Sequence, residues 1–298
     1  MQQLALFDEG HELESAQIVN VASVPQRSPF RYPGGKTWLV PRLRQWLASF
    51  RTQPALFIEP FVGGGSISLT VAFERLANHV LMVELDGQVA AVWRTILEGD
   101  GEWLADELLR FQLSPHSVAA ALGRPDASLS PRERAFNTLL KNRVNRGGIL
   151  APGAGLVKHG ENGRGLASRW YPATLRRRIL DIVAIRDNIT FAEGDGLEIM
   201  RRHAADNNAA FFIDPPYTAA GKKAGSRLYS CSQLDHDALF AVAASLQSPF
   251  LMTYDDTEEV RELARAHGFA VKTVAMKNTH HTKMNELLVS QDMDWLSL

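Results

Sequence analysis

The sequence predicts an α/β protein: an open, largely parallel sheet carrying helices, interrupted by a mostly helical insert. Three observations lead there. Short apolar runs alternate with helix-length segments from about residue 55 to residue 97; the alternation stops near Gly99; it resumes near Ile189. Strands that alternate with helices are the pattern of parallel pairing, because a parallel connection must cross the sheet.

The elements follow in order. Residues 1 to about 25 hold Asp8, Glu9, Glu12 and Glu14, no Lys or Arg, and no sustained period, so a mobile tail is expected over 1–25. Ala55-Leu56-Phe57-Ile58, bounded by Pro54 and Pro60, reads as a buried strand. Ser66 to Asn78 reads as a helix, Val80 to Val83 as a second buried strand, and Gly87 to Leu97 as a second helix. Residues 100–186 form the insert, with helical stretches at Trp103 to Phe111, Pro131 to Asn142 and Ala173 to Ile185 around a glycine-rich loop, Gly147 to Gly165. Strands then return at Ile189 to Phe191, Ala209 to Ile213, Pro249 to Thr253 and Ala270 to Val274, with a last one at Glu286 to Ser290. Glu258 to His267 reads as a helix closed by Gly268. The body is thus 26–99 joined to 187–298.

Charge is unevenly spread. Ten Lys and Arg stand against two acids between Lys141 and Arg186, a net +8, so the remainder carries -9 of the chain's total of -1. A basic element on an acidic body suits polyanion binding, or else a solvated basic face. No apolar run reaches the roughly 18 residues of a membrane-spanning helix, and the first ten residues carry acids where a secretory signal has bases. Cys231 is the single cysteine, which excludes an internal disulfide and a cysteine-based zinc site. A cytoplasmic location is expected. His280-His281 would face opposite ways on a strand and have no acid cluster beside them, so no metal is expected.

Two turns carry chemistry. In Ile58-Glu59-Pro60-Phe61-Val62-Gly63-Gly64-Gly65-Ser66 a strand passes through glycines into a helix, which lets a ligand approach the backbone. Glu84 follows 19 residues after Gly65 at the end of the next strand, where an acid accepts hydrogen bonds from ribose hydroxyls. An ordinary tight turn beside an exposed glutamate fits the same residues. A nicotinamide fingerprint fails because Ser68 stands where Gly or Ala is needed, and a phosphate loop ending at Gly35-Lys36-Thr37 fails because Phe30 replaces its first glycine. The second turn is Asp214-Pro215-Pro216-Tyr217, after the run Phe211-Phe212-Ile213. Prolines remove N–H donors, leaving carbonyls and the Asp214 carboxylate as acceptors beside an aromatic wall, a notch suited to a planar group with an exocyclic amine. A proline turn capped by a packing tyrosine is the alternative.

Taken in order, Phe30-Arg31-Tyr32-Pro33-Gly34-Gly35-Lys36, Glu59 to Gly65 and Asp214 to Tyr217 resemble the Dam-type N6-adenine DNA methyltransferases. The resemblance runs from about Ser28 to Ser290 and takes in Asn142-Arg143, Trp170-Tyr171-Pro172 and Asn285-Glu286-Leu287-Leu288. It implies a Rossmann-like sheet dependent on S-adenosylmethionine, with the insert as target-recognition domain and double-stranded DNA as partner. Carried over by position, Tyr32, Lys36, Phe61, Gly63, Gly65, Glu84, Asp195 and Asp214 contact the donor. Lys36 falls near its methionine carboxylate, Glu84 at its ribose and Asp195 at its adenine. Glu84 departs from the Asp frequent in close relatives. Asp214, Pro215, Pro216 and Tyr217 are the expected catalytic residues, with the target adenine flipped out of the duplex and stacked on Tyr217. Asn142, Arg143, Arg146, Lys158 and Arg169 are expected at the DNA. The alternatives are an RNA amine methyltransferase, in which Asp-Pro-Pro-Tyr also occurs, and a catalytically silent DNA-binding protein. In the tail, Gln3, Leu4, Leu6 and Phe7 resemble the short peptide by which bacterial replication and repair proteins dock on the sliding clamp.

Overall fold

A computed structural model of the chain describes residues 24–32, 34–216, 234–277 and 283–297. The tail peptide with Gln3, Leu4, Leu6 and Phe7 lies outside these residues, as do Pro33, Tyr217, Cys231 and His280-His281.

Seven strands form one sheet: β1 (Leu56–Glu59), β2 (His79–Glu84), β3 (Ile189–Glu193), β4 (Ala209–Ile213), β5 (Phe250–Asp255), β6 (Ala270–Lys277) and β7 (Lys283–Ser290), in the order β3-β2-β1-β4-β5-β7-β6. The five strands from β3 to β5 are parallel, with Ile58 level with Leu81 on one side and Phe211 on the other. The last two strands are antiparallel. The β7 strand lies between β5 and β6 and sets Glu286 opposite Asp255. The chain steps outward from β1 to β2 and β3, then returns to place β4 on the other side of β1. Such a reversal opens a crevice at the carboxyl ends of the two central strands.

Strands covered on both faces alternate their side chains between two layers. Phe57, Val80, Met82, Ala210 and Phe212 enter one apolar cluster; Ile58, Leu81, Val83, Phe211 and Ile213 enter the other. The first layer holds α1 (Val40–Ala48), α2 (Ser66–Glu74) and α3 (Gly87–Leu97). The insert contributes α4 (Gly101–Arg110), α5 (Pro115–Leu122), α6 (Pro131–Val144) and α7 (Pro172–Val183). The second holds α8 (Gly196–Arg202) and the helices His236–Ala244 and Glu258–Ala266. Leu104 and Leu108 of α4, Leu139 and Leu140 of α6, and Ile179 and Ile182 of α7 lie in the same cluster as Phe57 and Met82. The insert's helices therefore share a core with the sheet.

Local chemistry sets the helix limits. Ser130 and Glu133 form a reciprocal cap around Pro131 at the start of α6. Asp86, Asp195, Asp235 and Thr257 each accept a backbone N–H at the start of their helices. Predicted to reach Asn78, α2 stops at Glu74 because Arg75 turns left-handed. Among the described residues no helix is long and apolar enough to cross a membrane.

Candidate active site

The crevice at the ends of β1 and β4 holds a cavity of about 450 Å³. Tyr32, Lys36, Phe61, Gly63, Gly65, Glu84, Asp195, Asp214, Pro215 and Pro216 all line it. Every described residue expected at the donor or the reaction therefore meets at one place.

The glycine turn forms its floor. Gly63 and Gly65 have φ of 45° and 65°, where a side chain is strained. A Cβ on Gly63 would lie 2.6 Å from the Tyr32 ring, and one on Gly65 2.8 Å from Trp93. Trp93 Nε1 donates to the Gly63 carbonyl at 2.9 Å, while Glu84 accepts the Gly63 N–H at 2.9 Å and the Asp86 N–H at 2.8 Å. Over this turn runs the segment 28–32. Ser28 Oγ donates to the Gly64 carbonyl, and Phe30 packs between Tyr32 and Trp93.

Residues of the insert hold that segment, which corrects one expectation. Asn142 and Arg143 are buried, at 0% and 5% exposure. Asn142 accepts the Arg31 N–H at 2.8 Å and donates to the Arg31 carbonyl at 3.0 Å; Arg143 donates to the Pro29 carbonyl. Groups so enclosed do not meet a duplex, and their work is to fix residues 29–31. Arg146 and Lys158 are exposed and Arg169 is half-buried, in keeping with an outer basic face. The run Arg176 to Arg178 divides: Arg176 pairs with Asp106 at 2.8 Å, Arg177 is exposed, and Arg178 donates to the Ser28 carbonyl at 2.9 Å beside the cavity.

Lys36 is 2% exposed where it lines the cavity, and its Nζ lies 3.0 Å from Asp214 Oδ1 and 3.5 Å from Glu286 Oε2. Thr253 Oγ1 donates to the same Asp214 oxygen at 2.8 Å. Two donors on one oxygen fix the carboxylate's orientation. Glu59, Thr253, Glu286 and Arg178 belong to the site but were not among the expected residues. All four lie inside segments that the sequence marks as strand, helix or turn, but no local pattern singles them out as site residues.

Three glutamates at the site are held toward their neutral form. Burial raises Glu59 to about 8 against the hydrogen bond from Ser68, and raises Glu84 and Glu286 to about 7. The folded protein then keeps protons that the unfolded chain releases from about pH 4.5 upward. These groups contribute stability below that pH and lose it as pH rises through 7 to 8. The free energy of unfolding by urea is expected to be more than about 2 kcal/mol lower at pH 8.5 than at pH 6. A flat or rising profile over that range would show these carboxyls ionised throughout. Among the described residues no group of three His, Cys, Asp or Glu is placed to hold a metal ion.

The model of the D12 class N6 adenine-specific DNA methyltransferases matches residues 32–114 and 167–279. Solved structures similar to the chain include a putative RNA methyltransferase, PH1948, from Pyrococcus horikoshii, 9% identical, covering 91% of this chain and 92% of that one at a TM-score of 0.41. The rRNA methyltransferase aviRa from Streptomyces viridochromogenes is 17% identical, with 89% and 88% covered and a TM-score of 0.38. No curated protein matches the sequence significantly.

Proposed function

Since the chain belongs to the D12 class N6 adenine-specific DNA methyltransferase family, we propose that it methylates N6 of an adenine turned out of duplex DNA. The observation that carries this reading is the placement of Asp214. Its carboxylate, oriented by Lys36 and Thr253, lines the same cavity as the glycine turn.

The residues present suit S-adenosylmethionine, which when bound supplies a methyl group activated by a sulfonium. Gly63 to Gly65 leave the room that side chains would fill, and Asp86, Asp195 and Asp214 line the cavity, where acidic side chains favour a cation. Glu84 would hold the ribose, Asp195 the adenine, and Tyr32 and Phe61 the apolar faces. Adenine N6 is a weak nucleophile because its lone pair is delocalised into the ring. Asp214 and the Pro215 carbonyl would accept hydrogen bonds from its two N–H groups, turning the nitrogen toward sp3 and freeing the lone pair for in-line attack. Asp214 then receives the proton that the methylated nitrogen must lose. An adenine inside a duplex cannot reach this recessed notch, so the base must leave the stack, with Tyr217 as its stacking partner.

The insert, residues 100–186, serves in this reading as the recognition element, with Arg146, Lys158 and Arg169 on phosphates. Incubation of duplex DNA with labelled donor, followed by digestion to nucleosides, should yield N6-methyladenine. Label found only in an RNA control, or on another base, would overturn the assignment. Reversing Arg146 and Lys158 to Glu is expected to weaken duplex binding and to lower the slope of log affinity against log salt by about 2. An unchanged slope in gel shifts would remove these two residues from the interface.

A further inference from the structure

Lys36 is shared. Its buried ammonium reaches Asp214 from the end of β4 and Glu286 from β7, the antiparallel strand two places away. Glu286 Oε2 has no hydrogen-bond partner among the described residues, so the 3.5 Å ion contact with Lys36 is what offsets its charge. Burying a carboxylate with so little support is costly. Packing does not require it, since Leu287, Leu288 and Val289 already anchor β7 in both apolar layers.

We propose that Glu286 is a positioning residue for methyl transfer: it draws the Lys36 ammonium partly off Asp214, so that the Asp214 carboxylate keeps the charge needed to polarise the accepting amine. The proposal rests on the reading of Asp214 as the amine's acceptor. Within the trio of Lys36, Asp214 and Glu286, one cation between two carboxylates leaves a net charge of -1. In transfer, the N–C bond forms and the C–S bond breaks with its electron pair going to sulfur. The nitrogen gains positive charge and gives up one proton to Asp214. A buried cluster of net -1 stabilises that developing charge, whereas a cluster of net zero does not. Protonation of Glu286 turns the first state into the second, because the ammonium then compensates Asp214 alone.

Among the described residues, the charged groups around Glu286 are Lys36 ahead of α1, Asp214 after β4 and Asp255 directly across on β5; on β6 its register partner is Val274. Burial raises Glu286 to about 7, with Lys36 opposing and Asp214 and Asp255 reinforcing. The switch between the two charge states therefore falls near neutral pH.

The test is kcat against pH, from about 5.5 to 9, for the full chain and for Glu286→Gln at saturating donor and acceptor. The wild type is expected to rise about tenfold across a limb centred near pH 7. Glu286→Gln should stay at the wild type's low-pH level throughout, with the donor KM within about twofold. Glu286→Asp keeps a carboxylate and should keep a limb. Glu59 and Glu84 titrate in the same range, so a limb that survives in Glu286→Gln belongs to them and overturns the proposal. A limb missing from the wild type or from Glu286→Asp also overturns it. The comparison is made on whichever amine the wild type methylates. A wrong substrate assignment would show as a different product from the wild type and would leave the Glu286→Gln effect in place.

Discussion

Asp214→Asn is expected to lower kcat by about 10³-fold while changing the affinity for S-adenosylmethionine by less than about threefold. The amide has nearly the shape of the carboxylate but reverses its chemistry. It offers N–H groups where the substrate amine needs acceptors, it cannot take the departing proton, and it removes the negative charge facing the developing cation. Lys36 keeps Glu286 and the Gly34 carbonyl as partners, so the buried ammonium is not abandoned. Single-turnover transfer of label measures the loss, and calorimetric titration with the donor shows whether the pocket survives. Turnover within about tenfold of wild type would remove Asp214 from the reaction.

Gly63→Ala should act on binding first, raising the donor Kd by at least about tenfold. The new Cβ would lie 2.6 Å from the Tyr32 ring, and it would sit on a residue whose φ of 45° already disfavours side chains. The left-handed strain is about 1–2 kcal/mol. Tyr32 cannot simply swing aside, because Phe30 packs edge-on against it with ring centroids 6.3 Å apart. The expected result is a ring pushed toward the donor's space. Equilibrium dialysis with labelled donor tests this; unchanged affinity would mean that the turn lies off the binding surface.

Much of this architecture could be read in advance from the residues. The buried strands at 56–59, 79–84 and 209–213 stood out because both faces are covered and the runs are continuously apolar. Parallel pairing was legible from the alternation with helices, but the antiparallel β7 was not, since strand direction leaves no mark in a run such as Leu287-Leu288-Val289. Helix α5 passed unnoticed because Val118 is its only buried residue, so it shows no apolar stripe. Within the site, the donor turn and the Asp214 turn were visible as local patterns. The contacts among Lys36, Asp214, Thr253 and Glu286 were not, because they join four distant stretches of chain. Asn142 and Arg143 were misjudged for a related reason. A polar residue on a basic helix looks the same in sequence whether it faces solvent or reaches buried backbone carbonyls.

The segment 28–32 makes the molecule hard to treat as interchangeable parts. It rests on the glycine turn through Ser28 and Tyr32, and it is gripped from the insert by Asn142, Arg143 and Arg178. A chimera that imports residues 100–186 from a relative would cut this joint on one side only. The foreign insert would meet Arg31 and Pro29 carbonyls shaped for other partners, and the misfit would be passed straight to the wall of the cavity. On the proposed reading of the insert as the recognition element, exchange of target preference by grafting should therefore succeed only when residues 28–32 travel with it, as one inherited unit.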